Sequence, residues 1–393
     1  MGAIVSYRIN SQKSKGYYDQ VLTKSILDDI CRQVTGEANY QLVKQDDTYN
    51  KGRLVTINYN GWNFYITLSE TSIKGRNSSM QSVPTALNIF WADKNPNKKL
   101  FYYFLPITNG NSYTEYHIAY YRLLMTAGVI FLNISNVYGI EPYQSIDQFI
   151  SDRDVNKKAN KSNNSSYITK DKGVVQIYAK VYGASKYEST LFGIAASKLL
   201  PMNAPHIQLF NINEQDLLQL PQASLDTFKS LGNIDVFDTN YTFEKNRFFT
   251  EDKLTLRSPL YQYNLFSRLG NKRCALCGCE IPEIIQGAHI WGVSQIADSN
   301  MNDNEKFRYA INGHNGLWLC SNHHKLFDTN IIRLENDGRF LVRNDVNDSN
   351  IEFLKYITMQ TKLPVSFLSD EFKAYINMRN TSLPTFGYNQ LKV

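Results

Sequence analysis

The sequence predicts an α+β fold, a long mixed region followed by a small module rich in cysteine and histidine. Three observations lead there. Strand-like and helix-like text alternate over residues 1–150. Hydrophobic residues make up 42% and charged residues 20% of the 393, the balance of an ordinary globular protein with room for two or three cores. Four of the five cysteines fall within 47 residues, and four of the six histidines share that neighbourhood.

In chain order, "YYDQVLTKSILDDICRQV" reads as an amphipathic helix. "RLVTINYNGWNFYITL" has the period-2 alternation of paired strands, with Asn60-Gly61 as a hairpin turn. "KLFYYFLPI" reads as a buried strand. Between the last two lies a small-polar loop carrying Lys74, Arg76, Asn77 and Gln81, side-chain types that can read base edges. Residues 1–153 therefore form a first α+β region, a candidate for DNA recognition.

Residues 154–173 have the Lys/Asn/Ser composition of a linker. The net charge is +6, and residues 157–186 alone hold seven lysines against one aspartate, a concentration that suits a polyanion. A strand, a Gly-containing turn and a helix follow, so residues 174–255 make a second α/β part. In the tail, 346–393, two short helices are separated by Pro364. "IIRLENDGRFLV" reads as a hairpin turning at Asp337-Gly338, expected to extend the sheet of the module before it. The N-terminus lacks the apolar core of a signal peptide and no apolar run approaches ~18 residues, so a cytoplasmic protein without membrane contact is expected.

Clustered cysteines in a reducing compartment favour a metal over disulfides. Cys274-Ala-Leu-Cys277 and Cys320-Ser-Asn-His323 are two half-sites of the kind that together give Zn2+ its four sulfur and nitrogen ligands. The loop between them is far longer than a zinc finger needs, so the metal clips shut a segment with content of its own. Cys279 is a bystander or substitute ligand. Inside that loop "AHIWG" suggests one strand and "GLWLC" a second that runs directly into a helix from Cys320 to Asp328.

A strand bearing His289, a second strand preceded by Asn315 and a helix bearing His324 resemble the HNH nuclease family and its ββα-metal fold, over about residues 256–345. The resemblance implies three roles. His289 takes the proton of the attacking water, His324 helps hold a divalent cation such as Mg2+, and Asn315 either bonds the first histidine or completes the metal shell. His323 and His324 then serve different centres. Many such sites carry an acid before the first histidine, where this chain has Ala288, so the shell must draw on something else; Asp328, one turn beyond His324, is within reach. His314 is read as structural. The implied function is a metal-dependent DNA endonuclease, a sequence-specific type II restriction enzyme. It would work on double-stranded DNA as a homodimer, alongside a cognate DNA methyltransferase. A modification-dependent endonuclease and a non-catalytic zinc-stabilised DNA-binding protein remain open alternatives.

Overall fold

The computed structural model describes residues 2–9, 22–46, 54–69, 82–105, 115–134, 140–159, 166–181, 187–213, 220–250 and 258–391. The loop carrying Lys74, Arg76, Asn77 and Gln81 lies outside them. The chain divides into two compact units that alternate along the sequence. Residues 1–166, 180–207 and 220–235 form the first, and residues 167–179, 208–219 and 236–393 the second.

The first unit is built on a six-stranded mixed sheet. Its strands are β1 (Ala3–Ile9), β2 (Tyr40–Asp46), β3 (Leu54–Tyr59), β4 (Trp62–Leu68), β5 (Lys98–Tyr103) and β6 (Ile130–Leu132), in the order β2-β1-β3-β4-β5-β6. β3 and β4 pair antiparallel through the expected turn, in which Asn60 and Gly61 both take positive φ (48° and 78°), the pair of left-handed residues that a tight hairpin needs. Helix α1 (Lys24–Thr35) starts at the Thr23 side chain, ends at Gly36, and buries Leu27, Ile30 and Cys31. Those side chains join Val5, Val55, Ile57, Ile66, Phe101 and Tyr103 in one core. The alternate residues of β5 and its extension, Tyr102 and Phe104, are equally buried and meet Tyr121 at 5.3 and 5.1 Å between ring centres. With both faces covered, β5 reads as an unbroken apolar run. Helices α2 (Ser82–Ala92), α3 (Glu115–Thr126) and α4 (Ile146–Ala159) complete this part of the chain.

Strands β7 (Tyr167–Asp171) and β8 (Val174–Lys180) form a hairpin across Lys172-Gly173. The segment read as a linker thus contains the end of α4 and a whole strand. Its lysines and asparagines mask the period-2 pattern of "YITKD" that becomes evident only beside "VVQIYAK". Helix α5 (Glu188–Leu199), β9 (Ile207–Asn213), α6 (Gln222–Leu231) and β10 (Ile234–Asn240) follow, giving a four-stranded sheet in the order β10-β9-β8-β7.

After α7 (Tyr241–Thr250) comes α8 (Pro259–Leu269), opened by Ser258 with proline in its first turn. Seven of its eleven residues are buried, as expected of a helix packed on more than one side. Phe266 lies 5.2 and 5.4 Å from Tyr167 and Tyr178 of the sheet. Tyr261 and Leu265 lie against a two-stranded antiparallel ribbon, β11 (Ile285–His289) with β12 (Gly316–Cys320). The first strand is therefore "IQGAH", three residues earlier than expected, with His289 at its end. The loop between the strands holds α9 (Val293–Asp298) and α10 (Asp303–Ile311), whose reciprocal cap between Asn302 and Glu305 fixes its start. A 3-10 turn, Gly313–Asn315, leads into β12, and α11 (Ser321–Asp328) leaves it.

The hairpin β13 (Ile332–Leu334) and β14 (Phe340–Arg343) does not extend the β11–β12 ribbon. It forms a separate three-stranded sheet with β15 (Tyr388–Gln390), because β14 takes the C-terminal segment as its second neighbour. Helices α12 (Asp348–Ile357) and α13 (Asp370–Ser382) flank a 3-10 turn after Pro364. They are no loose tail. Backbone N–H groups of Met359 and Gln360 donate to the Leu276 carbonyl, and buried Arg379 donates to the carbonyls of Ile290 and Phe327. Among the described residues no helix is long and apolar enough to cross a membrane.

Candidate metal and catalytic centres

Cys274, Cys277, Cys320 and His323 come together, with one ligand atom from each lying within 4.8 Å of every other. The first two ride on a knuckle. The Gly278 N–H donates to the Cys274 carbonyl, the Cys274 N–H donates to the Cys279 carbonyl, and Gly278 takes φ +68° to close the turn. The Ala275 N–H donates to the Trp318 carbonyl and docks the knuckle on β12, which delivers Cys320 at the cap of α11. His323 is buried, and its Nδ1 lies 3.1 Å from the Cys320 Sγ and 3.5 Å from the Cys274 Sγ. Its Nε2 is 3.2 Å from the hydroxyl of buried Thr358, an outer partner that turns Nδ1 inward. Hydrogen bonding from Cys320 holds the Cys274 thiol far below its usual range, with His323 contributing, and the same contact pushes Cys320 up. Three sulfurs and one imidazole crowded in this way are a donor set that fits tetrahedral Zn2+. Cys279 is not part of the cluster; its backbone is what the knuckle uses.

The neighbouring histidine goes elsewhere. His324 is 14% exposed; its Nδ1 lies 2.9 Å from Gln286 Oε1 and its Nε2 3.3 Å from Asp328 Oδ2. The amide oxygen can only accept, so Nδ1 carries the proton and Nε2 presents its lone pair beside the carboxylate. That spacing fits two ligands of one divalent cation. Gln286 and Ala288 lie two apart on β11 and so on one face, which places Gln286 one pleat from the position where an acid is usual.

His289 points to the opposite face of β11 from Ala288. Its Nε2 lies 2.8 Å from the Ala310 carbonyl, which requires a proton on Nε2 and puts the lone pair on Nδ1. Ala310 belongs to the last turn of α10, where carbonyls have no partner within the helix. The Ile311 carbonyl there accepts from Asn264 Nδ2 and the Tyr309 carbonyl from Asn315 Nδ2, so the end of α10 anchors three parts of the site.

Asn315 is fully buried. Its Oδ1 accepts from the Trp291 N–H at 2.8 Å, and its Nδ2 donates to the Trp291 and Tyr309 carbonyls at 3.0 and 3.2 Å. These bonds reach neither His289 nor the His324 region. A buried amide has few hydrogen bonds to give, and these are committed to the backbone. His314 contacts Ser369 (2.8 Å) and Glu371 (3.7 Å) at the start of α13. Gln286, the Ala310 carbonyl, Thr358 and Tyr261 were not foreseen. A glycine inside a strand, Gly287, was the available signal that another element approaches there.

No curated protein matches the chain. The HNH endonuclease family model matches residues 274–334, a segment running from the first cysteine of the metal cluster through α11 to β13. The strand–strand–helix arrangement, the Cys3His cluster and this match agree, and the second unit contains an HNH-type domain near the C-terminus.

Proposed function

We propose that this protein is a divalent-metal-dependent DNA endonuclease of restriction type, in which the second unit cuts and the first selects the target. The observation that carries the catalytic half is His289. It has a fixed tautomer, sits at the end of a strand, and lies on the ribbon that also presents Gln286 to His324 on its other face. In hydrolysis His289 Nδ1 accepts a proton from water as the water oxygen attacks phosphorus. The imidazolium formed keeps its Nε2–H on the Ala310 carbonyl, at the negative end of α10, where positive charge is favoured. A cation such as Mg2+ at His324 and Asp328 would neutralise charge on the phosphate and on the departing oxygen. Gln286 holds the ring of His324, and Asn315 braces the ribbon against the 3-10 turn.

The proposed division of labour rests on economy. A ribbon and helix suffice to cut, so a first unit of more than 200 residues is available to read sequence. The lysine-rich stretch would add phosphate contacts. One such centre cuts one strand, so we assign double-strand cleavage to a homodimer with two-fold symmetry, acting beside a methyltransferase that protects host sites. Incubation of supercoiled plasmid with Mg2+ tests the catalytic reading. The wild type is expected to open or linearise it, and His289→Ala to bind DNA without cutting; a few per cent of residual cutting in that variant would refute the assignment. Wild-type protein mixed with excess His289→Ala should accumulate open circles if a dimer acts.

A further inference from the structure

We infer that Tyr261 is a positioning residue for His289 and that α8, which precedes the family-matched segment, is a working part of the catalytic centre. The inference rests on the reading of His289 as the base. The Tyr261 and His289 rings are stacked, 3.9 Å between centres and 12° from parallel. The ribbon is built to admit that ring. Gly287 and Gly316 sit on the face that carries His289, and Gly316 pairs directly with His289 across the ladder. A methyl group at Gly316 would lie 2.1 Å from the Tyr261 hydroxyl and 2.8 Å from Leu265, and one at Gly287 would lie 2.6 Å from Leu265 and 3.0 Å from the Tyr261 ring. Two glycines in the same short ribbon, each weakening a strand, are thus placed where an aromatic ring crosses it.

The geometry supplies what a base needs. The hydrogen bond to Ala310 fixes one ring atom, and a single bond of that kind does not by itself set the plane of an imidazole. The stacked tyrosine sets that plane. Together they fix both the plane and the direction of Nδ1, and misplacement of a reacting group by about 1 Å costs on the order of 100-fold in rate. The stack needs an aromatic face, not a hydroxyl, so phenylalanine should serve.

Single-turnover cleavage and histidine-ring NMR of the full-length zinc-loaded protein test the inference. Tyr261→Phe should stay within about 2-fold of wild type, while Tyr261→Leu should cut about 10- to 100-fold more slowly with unchanged DNA affinity. In the NMR spectrum, the His289 ring protons should lie upfield in wild type and Tyr261→Phe, and move downfield in Tyr261→Leu while zinc-bound His323 stays put. Leu265→Ala, which loosens the same helix but leaves the aromatic ring in place, should melt earlier yet keep far more of the cutting rate than Tyr261→Leu. If Tyr261→Leu does not fold, Gly316→Ala takes its place, since its methyl would displace the hydroxyl end of the ring. Equal rate losses in Leu265→Ala and Tyr261→Leu, or a wild-type rate after the NMR shift is lost, would overturn the inference. Cutting by His289→Ala would instead overturn the reading beneath it.

Discussion

His323 and His324 are adjacent in sequence and belong to centres of opposite character. His323 is sealed, with one nitrogen among three sulfurs, the other at Thr358, and Cys274 and Cys320 buried around it. His324 sits at an edge, with one nitrogen held by Gln286 and the other beside Asp328, whose side chain is half exposed. A structural metal wants every coordination position filled by protein, whereas a reacting metal must keep positions for water and substrate. A single residue step separates the two because neighbouring residues on a helix point about 100° apart.

The largest effect should come from His323→Ala. Structural zinc supplies about 10–16 kcal/mol of apparent binding energy to small modules, so this variant should lose its zinc and melt the second unit early. His324→Ala should keep its zinc and melting temperature and lose cutting. Metal analysis and thermal melting of the pair check this, and a reversed outcome would exchange the two assignments. Next in size, Asp328→Asn should weaken divalent-cation binding by about 10- to 100-fold without releasing zinc, read by Mn2+ titration calorimetry of the zinc-loaded protein. An unchanged affinity would leave Asp328 as a helix-end residue only.

A smaller effect is expected from Gly313→Ala. Its methyl would fall 2.5 Å from the backbone oxygen of Asn264, which cannot move aside as a side-chain tip can, so a loss of about 1–3 kcal/mol should appear in denaturant unfolding. The smallest effect on folding belongs to replacing Lys157, Lys158, Lys161, Lys170 and Lys172 with Ser. Stability should barely change, while the slope of log K against log salt should flatten by about 0.9 for each phosphate that the protein no longer neutralises. An unaltered slope would assign these lysines to plain solvation.

The metal cluster was fully legible because cysteine spacing is local information. Two residues between each pair of ligands is a geometric constraint that survives any surrounding fold. The β11–β12 ribbon was legible to within three residues, since "QGAHI" and "GLWLC" both carry the apolar text of short buried strands. The backbone partners of Asn315 were not legible, because an asparagine before glycine has the same text whether it faces a metal or the backbone. Gln286 and Tyr261 were not seen, because each is defined by what a distant element does: α11 for one, the 3-10 turn and ribbon for the other. The hairpin β7–β8 was hidden by lysines and asparagines that report on solvent and not on pairing.

That hairpin has a consequence for how the protein comes into being. Lys272, beside the metal knuckle, donates to the carbonyl of Lys170, 102 residues earlier, and Tyr167 and Tyr178 cover Phe266. The second unit therefore cannot be lifted out of the gene as one contiguous segment. Its first strands emerge from the ribosome long before the helix they cover, and they must wait for it. Long-range closures of this kind slow folding more than they weaken the product. A fragment beginning at residue 256 should expose a bare aromatic flank and aggregate.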